Sequence, residues 1–207
     1  MIRISIIVIT SLCFSAYSQN DSSYIFILGN TQDAGVPHIG CEQEFCKKNH
    51  NSNKNYFATS IAVVDPKLSQ FTLFEASPDI TSQLNYISTS LFKRFILPNN
   101  IYITHAHIGH YTGLMYLGRE SLGAKGVNVR VLPKMSDFLQ NNGPWDQLIK
   151  LNNIDLEDIS FNKPTSIFKN IEIIPLEVPH RDEYSETAGY IIKGGNKTAL
   201  FIPDIDK

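Results

Sequence analysis

The stretch Thr104-His105-Ala106-His107-Ile108-Gly109-His110 places three imidazoles within six residues, in a chain that has only six histidines. The apolar run before it, Asn100 to Thr104, predicts a short buried strand, and the residues from Tyr111 predict a helix. The histidines therefore lie on the turn between the two elements. Such a turn can bring several imidazoles onto one cation, and histidine is the commonest metal ligand in proteins. The motif predicts a metal centre.

Two further candidate ligands follow apolar runs later in the chain. His180 comes after Ile171 to Val178, and Asp204 comes after Ala199 to Ile202. Both runs predict buried strands, and side chains at strand ends gather at one edge of a layered fold. Asp182, close to His180, is a candidate to orient an imidazole, although a surface charge run explains it more simply. The expected metal-binding residues are His105, His107, His110, His180 and Asp204.

The rest of the pattern predicts two sheets with helices outside them. Predicted strands cover Tyr24–Leu28, Ser60–Asp65, Gln70–Glu75, Val127–Leu132, a segment near Ile159, Ile171–Val178, Thr187–Ile192 and Thr198–Ile202. Predicted helices run from Pro78 to Ser88, from the histidine motif to about Leu122, near Ser136–Asn141 and over Trp145–Asn152. Paired strands early and interleaved helices later favour an α+β fold.

These residues resemble the metallo-β-lactamase-fold hydrolases, whose signature is His-x-His-x-Asp-His after a strand, then a later His and an Asp at another strand end. The resemblance covers most of the chain after about Tyr24, and it implies a four-layer αββα sandwich. It also implies a catalytic divalent metal, Zn²⁺ first, with Mn²⁺ or Fe²⁺ as alternatives. In the implied arrangement His105, His107 and His180 bind the first metal and His110 belongs to a second. Asp204 bridges the metals or accepts a proton from the attacking water, which makes it the expected catalytic residue.

The chain departs from this signature at Gly109, where the family has aspartate. Glycine has no side chain to bind a cation, so the second site loses a carboxylate that also orients the attacking water. We therefore expect one ion at the active site, with a second site of low affinity as the alternative. The chain also ends at Lys207, three residues after Asp204, where the family continues with further elements. This predicts a fold that is truncated at its C-terminus.

A second resemblance concerns the N-terminal loop. Leu28 to Cys41 is similar to the first strand and glycine-rich loop of two relatives, the pyrroloquinoline-quinone biosynthesis B protein and the phosphonate-pathway cyclic phosphodiesterase. Gly113 to Glu120 is similar to the helix after the histidine motif in the first of them. Since this loop faces the metal in the relatives, the resemblance implies that Asp33 and His38 contact substrate. A solvated turn residue and a loop-packing histidine are the alternatives.

Cys41 and Cys46 lie just after this loop. Two thiolates can clasp a structural Zn²⁺, as the corresponding loop of the phosphodiesterase relative does, or they can form a disulfide in an oxidising compartment. The sequence leaves both interpretations open. In either case the pair cross-links the loop and restrains its conformation.

The first 19 residues have the layout of a secretory signal peptide, with one cation at Arg3, an apolar core from Ile4 to Phe14 and small residues before Gln19. The predicted cut follows Ser18. The chain is therefore divided into a signal peptide over 1–18 and a metallo-β-lactamase-like domain over 19–207. The mature protein is expected to be exported, periplasmic or secreted. After this segment no run approaches the roughly 20 apolar residues that a membrane span requires.

The formal net charge is −2, and the scattered Lys and Arg offer no basic surface for nucleic acid. A small-molecule substrate is therefore expected, while the sequence predicts no oligomeric state. The leading function is a hydrolase that uses metal-bound hydroxide on an ester, phosphodiester, lactone or similar bond. A metal-dependent oxidoreductase resembling the quinone-biosynthesis relative is one alternative. A non-catalytic metal-binding domain, which Gly109 favours, is the other.

Overall fold

The computed structural model describes residues 22–52 and 56–206, so the predicted signal peptide lies outside the described residues. A six-stranded sheet has the order β1 to β6, with β1 to β3 antiparallel and β3 to β6 parallel. A four-stranded antiparallel sheet has the order β10-β9-β8-β7. The strands are β1 (Tyr24–Gly29), β2 (Ser60–Asp65), β3 (Gln70–Phe74), β4 (Asn100–Tyr102), β5 (Val127–Val131), β6 (Ile154–Asp158), β7 (Thr165–Phe168), β8 (Ile171–Glu177), β9 (Ala188–Lys193) and β10 (Thr198–Phe201).

The helices are short. They are α1 (Glu44–Ser52), α2 (Ile80–Ile87), α3 (Ile108–Tyr111), α4 (Pro133–Asn141) and α5 (Trp145–Lys150). A π-helical turn, Ser88–Phe92, follows α2, and a 3₁₀ helix, Thr112–Leu117, follows α3. None of the helices in the described part of the chain is both long and apolar enough to cross a membrane.

Successive side chains of a strand point to opposite faces of the sheet, and both faces of the central strands are buried. In β2, Ala62 and Val64 belong to the core under the helices, whereas Val63 belongs to the core between the sheets. Between the sheets, Phe74 stacks on Tyr102 at 5.1 Å between ring centroids, and Tyr190 meets both rings edge-on. The two sheets therefore form one aromatic-rich sandwich.

The expected α+β sandwich is confirmed. Its helices α2, α4 and α5 pack on the six-stranded sheet, and Leu84, Leu139 and Leu148 contribute to the core beneath them. The C-terminal ends of β4, β8 and β10 meet at one edge of the sandwich, where the loops that carry the predicted metal ligands lie.

Several elements differ from the prediction. The helix after the histidine motif is not continuous to Leu122, because the 3₁₀ helix ends at Leu117 and Gly118 is extended. Helix α1 was not predicted, since its sequence is polar and has no apolar period. Strand β7 was not predicted either, because four residues with one buried side chain give little periodic signal. The strand expected near Ile159 is β6, which ends one residue earlier.

Candidate metal centre

The structure brings all five predicted metal-binding residues together, and they come from both sheets. His105 and His107 follow β4, and His110 lies in α3. His180 lies in the loop between β8 and β9, and Asp204 follows β10. The site therefore straddles the edge of the sandwich, with ligands from the six-stranded sheet on one side and from the four-stranded sheet on the other.

Three imidazoles and one carboxylate form the first donor set. His105 Nε2 lies 2.9 Å from His107 Nδ1, and His180 Nε2 lies 3.1 Å from the same atom. Asp204 Oδ2 is 3.5 Å from His180 Nε2 and 3.8 Å from His105 Nε2. Ligand atoms about 2.1 Å from a tetrahedral zinc ion are roughly 3.4 Å apart, so this spacing suits a divalent cation.

The other ring nitrogen of each of these histidines faces a protein oxygen. His105 Nδ1 is 2.8 Å from Thr104 Oγ1, and His107 Nε2 is 2.8 Å from Glu183 Oε2. His180 Nδ1 lies 3.2 Å from Asp206 Oδ2. Oxygens in this position orient a metal-binding imidazole and make the ring nitrogen that faces the metal more basic. The donor set is therefore supported as metal-binding histidines usually are.

The structure assigns the orienting carboxylate to a different residue from the predicted one. Asp182 accepts a hydrogen bond from the Thr187 hydroxyl at 2.7 Å and is bonded to no imidazole. Its neighbour Glu183 contacts His107 instead. The reason is the course of the loop, which turns the carboxylate of Asp182 towards Thr187 and that of Glu183 towards the site. Of the two interpretations of Asp182, the structure fits the surface charge run, and the carboxylate that faces an imidazole is that of Glu183.

A second donor set surrounds His110, whose side chain is 3% exposed. Its Nε2 atom is 3.3 Å from Asp33 Oδ1 and 3.4 Å from Asp204 Oδ2, and its Nδ1 atom is 2.9 Å from Glu75 Oε2. Despite this proximity, neither ring nitrogen has a well-aligned hydrogen-bond partner. An imidazole that binds a metal presents a lone pair rather than a proton, and the short distances from Nε2 to the two aspartates fit such a role.

Glu75 is the functional residue that the sequence pattern did not single out. It is fully buried directly after β3, and its backbone adopts the left-handed conformation with φ 73°, which is uncommon for a residue with a side chain. Oε1 accepts a hydrogen bond from the Thr104 amide at 3.1 Å, while Oε2 faces His110. Glu75 thus joins the end of β3 to the histidine motif. A strained, buried carboxylate beside metal ligands is typical of a functional site.

A tight backbone contact places His110 against Glu75. The Ala76 amide donates to the His110 carbonyl at 2.9 Å, and the Gly113 amide donates to the Ala76 carbonyl at 2.8 Å. A Cβ atom on Gly113 would lie 2.2 Å from the Ser77 carbonyl oxygen. Glycine at this position therefore allows α3 to approach the end of β3.

The charges of the site shift the pKa values of its members. Burial lowers the pKa of His105 to about 3, and the neighbouring histidines add to this shift. Burial also opposes the charged form of His110, but the charge of Glu75 and contacts with Asp204 and Asp33 prevail and raise its pKa to about 12. The contact with His110 lowers the pKa of Asp204 to about 2. Without a cation, the site therefore holds the charged imidazole of His110 among carboxylates.

Asp33 and His38 line an open cavity of about 890 Å³ that also reaches His180, Arg181 and Asp204. Asp33 is directed at His110, whereas His38 is exposed and its Nδ1 lies 3.0 Å from the Ile39 carbonyl. Both predicted substrate contacts therefore lie at the site, His38 at its rim. Cys41 and Cys46 line the same cavity and are joined as a disulfide. Of the two alternatives for this pair, a structural zinc or a disulfide, the structure therefore has the disulfide.

A family model described as a beta-lactamase superfamily domain matches residues 72–207, which is more than half of the chain. The chain belongs to this superfamily. Among curated proteins, none matches it in sequence. The match includes the histidine motif, the loop that carries His180, and Asp204, so the superfamily assignment and the geometry concern the same residues.

Solved structures show that the superfamily fold extends over nearly the whole chain. Zn²⁺-bound PqqB from Methylobacterium extorquens superposes with a TM-score of 0.73 at 21% identity, over 89% of this chain and 66% of that one. A diphosphatase from the PhnP family gives a TM-score of 0.59 at 21% identity, over 82% of this chain and 61% of that one. YhfI from Bacillus subtilis, a metallo-beta-lactamase fold protein, gives a TM-score of 0.55 at 11% identity, over 87% of this chain and 62% of that one.

These neighbours confirm the metallo-β-lactamase fold and the expected place near the PqqB and PhnP branches. The chain spans slightly less than two thirds of the length of each of them. At these identities the likeness establishes the fold, and the chemistry must be argued from the site itself.

Proposed function

We propose that the chain is a metal-dependent hydrolase that acts on an ester, phosphodiester, lactone or related bond of a small molecule. One observation carries the proposal, namely the convergence of His105, His107 and His180 nitrogens with Asp204 Oδ2 within 4.8 Å of one another. A divalent cation held there would lower the pKa of a coordinated water from 15.7 to about 7 and polarise the oxygen of the bond under attack.

The residues of the chain have separate tasks in this proposal. Thr104 and Glu183 hold two of the imidazoles with their donor nitrogens towards the centre. Asp204 keeps its negative charge because of the surrounding histidines, so it can bind the cation or accept the proton of the attacking water. Arg181 lines the cavity next to His180 and offers a positive charge to an anionic substrate, which favours a phosphodiester among the candidate bonds.

The test measures metal content and turnover on the same preparations. Wild type should carry zinc after purification and hydrolyse p-nitrophenyl acetate or bis(p-nitrophenyl) phosphate. His107→Ala should lose both the ion and the turnover. His50→Ala is the matched control, because His50 is exposed on α1 and does not line the cavity, and it should keep both. Metal without any turnover would leave a non-catalytic metal-binding domain, and absence of metal would refute the proposal.

We also propose that the chain is exported. The Cys41–Cys46 disulfide supports this proposal, because disulfides persist mainly in oxidising compartments. The signal-like N-terminal segment supports it independently.

A further inference from the structure

The space beside Gly109 is filled by another residue. A Cβ atom on Gly109 would lie 2.6 Å from both Cβ and Cγ of Asp33 and 2.8 Å from its Cα atom. Atoms that are not bonded do not approach so closely, so the side chain of Asp33 occupies the volume that a side chain at position 109 would need. The missing carboxylate of the histidine motif therefore has a spatial counterpart that comes from the loop after β1.

The carboxylate of Asp33 also points where a metal ligand would point. Its Oδ1 atom lies 3.3 Å from His110 Nε2, and Asp204 Oδ2 lies 3.4 Å from the same nitrogen. All three donor atoms fall within 4.8 Å of one another. Separations close to the roughly 3.4 Å expected around a tetrahedral zinc ion leave room for one cation between them. Asp204 belongs to both donor sets, so two cations would share it.

The imidazole of His110 is also oriented as a metal ligand would be. Its Nδ1 atom faces the buried Glu75 at 2.9 Å, which leaves Nε2 directed at Asp33 and Asp204. A buried carboxylate behind a ring nitrogen is the usual support of a metal-binding histidine. The ring is nearly inaccessible to solvent, and Nε2 has no aligned hydrogen-bond partner. Such an unpartnered buried nitrogen requires an explanation, and a cation provides one.

We infer that Asp33 replaces the carboxylate that the family carries at the position of Gly109, so that Asp33, His110 and Asp204 hold a second divalent cation. Gly109 is then the residue that makes room for Asp33 rather than a lost ligand. A cation at this place also turns the repulsion between two neighbouring carboxylates into attraction. The inference rests on the metal centre of the proposed function, and it raises the expected number of active-site ions from one to two.

The experiment removes or displaces the Asp33 carboxylate and counts ions. Zinc content and zinc affinity are measured for the purified chain by elemental analysis and by competition with a chromophoric chelator. The variants are Asp33→Asn, which keeps the shape but removes the charge, and Gly109→Ala, whose added methyl group competes with the Asp33 side chain for the same volume. Asp182→Asn is the matched control, since Asp182 is bonded to Thr187 and to no imidazole. Circular dichroism verifies that each variant is folded.

Wild type and Asp182→Asn should bind two ions. Asp33→Asn and Gly109→Ala should each bind one, with the affinity for the second lowered by at least about tenfold. Two ions in either of these variants, or one ion in wild type, would overturn the inference while leaving the first site intact. Absence of zinc from wild type would instead refute the metal centre and the proposed function with it.

Discussion

Glu183 Oε2 lies 2.8 Å from Nε2 of His107, and through this contact an exposed carboxylate fixes an imidazole whose Nδ1 atom faces the metal centre. The contact joins the loop between β8 and β9, which belongs to the four-stranded sheet, to the turn after β4. It therefore gives His107 a definite tautomer and direction.

Replacing Glu183 should weaken metal binding without unfolding the chain. In Glu183→Gln the neutral amide attracts the Nε2 proton of His107 less strongly than the carboxylate does, so zinc affinity should fall by about 10 to 100-fold. Competition with a chromophoric chelator measures this. Asp182→Asn, one residue away, should leave the affinity unchanged. Equal affinities in wild type and Glu183→Gln would show that the contact does not position His107.

Breaking the disulfide should change stability but not metal content. The double variant Cys41→Ser/Cys46→Ser frees a loop closed over a sequence separation of 5, for which loop-closure entropy predicts a loss of about 2 kcal/mol in the free energy of unfolding. Urea unfolding measures the loss. Elemental analysis of the same preparation should find the wild-type number of zinc ions, and one ion fewer would point instead to a structural zinc at the cysteines.

The metal-free protein should lose stability as the pH falls below about 6.5. Burial lowers the pKa of His105 to about 3 in the folded state, so between these values the unfolded chain binds a proton that the folded chain does not. This contribution is fully present above pH 6.5 and is lost at up to ~1.4 kcal/mol per pH unit as the pH falls towards 3.

Urea unfolding in the presence of a chelator, at pH values from 7 to 4.5, measures this dependence. His105→Gln does not titrate there, so its stability should vary less steeply. The carboxylates with lowered pKa values, Asp33 and Asp204, contribute only nearer pH 4 and below. Parallel pH profiles for wild type and His105→Gln would contradict the assignment to His105.

Gly113→Ala should destabilise the protein and disturb the position of His110. The added methyl group would lie 2.2 Å from the Ser77 carbonyl and 2.7 Å from that of Ala76, both of them backbone atoms. We expect a loss of about 1 to 3 kcal/mol in the free energy of unfolding. Gly195→Ala is the control, because a Cβ atom there meets nothing within 4 Å. Thermal unfolding of the two variants should separate them clearly.

Expression of the chain with its natural N-terminus in a bacterium should yield a mature protein that begins at Gln19. N-terminal sequencing and the intact mass measure the cut, and fractionation shows whether the product leaves the cytoplasm. Ala16→Arg places a large cation where the cleavage site has a small residue and should block the processing. Retention of Met1 in the cytoplasmic fraction would contradict export.

The convergence of the candidate metal ligands could be predicted from the sequence because they sit at the ends of strongly apolar strands. The apolar runs in β2 and β3 and the buried run before His105 are local signals, and the buried sandwich follows from them. Glu75 was hidden because it looks like the last residue of a strand. Nothing in the local sequence shows that its backbone turns left-handed and directs the carboxylate at His110.

Asp33 illustrates the limit of sequence patterns more sharply. The signature has a gap at Gly109, and the side chain that fills this gap comes from the loop after β1. Only the packing of that loop against α3 brings the two residues together, and no spacing along the chain encodes it. The pairing of Cys41 with Cys46 was undecided for a related reason, because a cysteine pair can satisfy either a metal or a disulfide with similar spacing.

The division of the ligands between the two sheets has a consequence for the amount of protein in the cell. A cation held by His105 on one side and by His180 and Asp204 on the other braces the sandwich, and it binds the folded state only. Such binding adds about 4 kcal/mol to the free energy of unfolding when the free ion exceeds its dissociation constant a thousandfold. Scarcity of the metal would then expose the chain to proteases, so that supply of the ion would govern how much of the protein survives as well as how much of it is loaded.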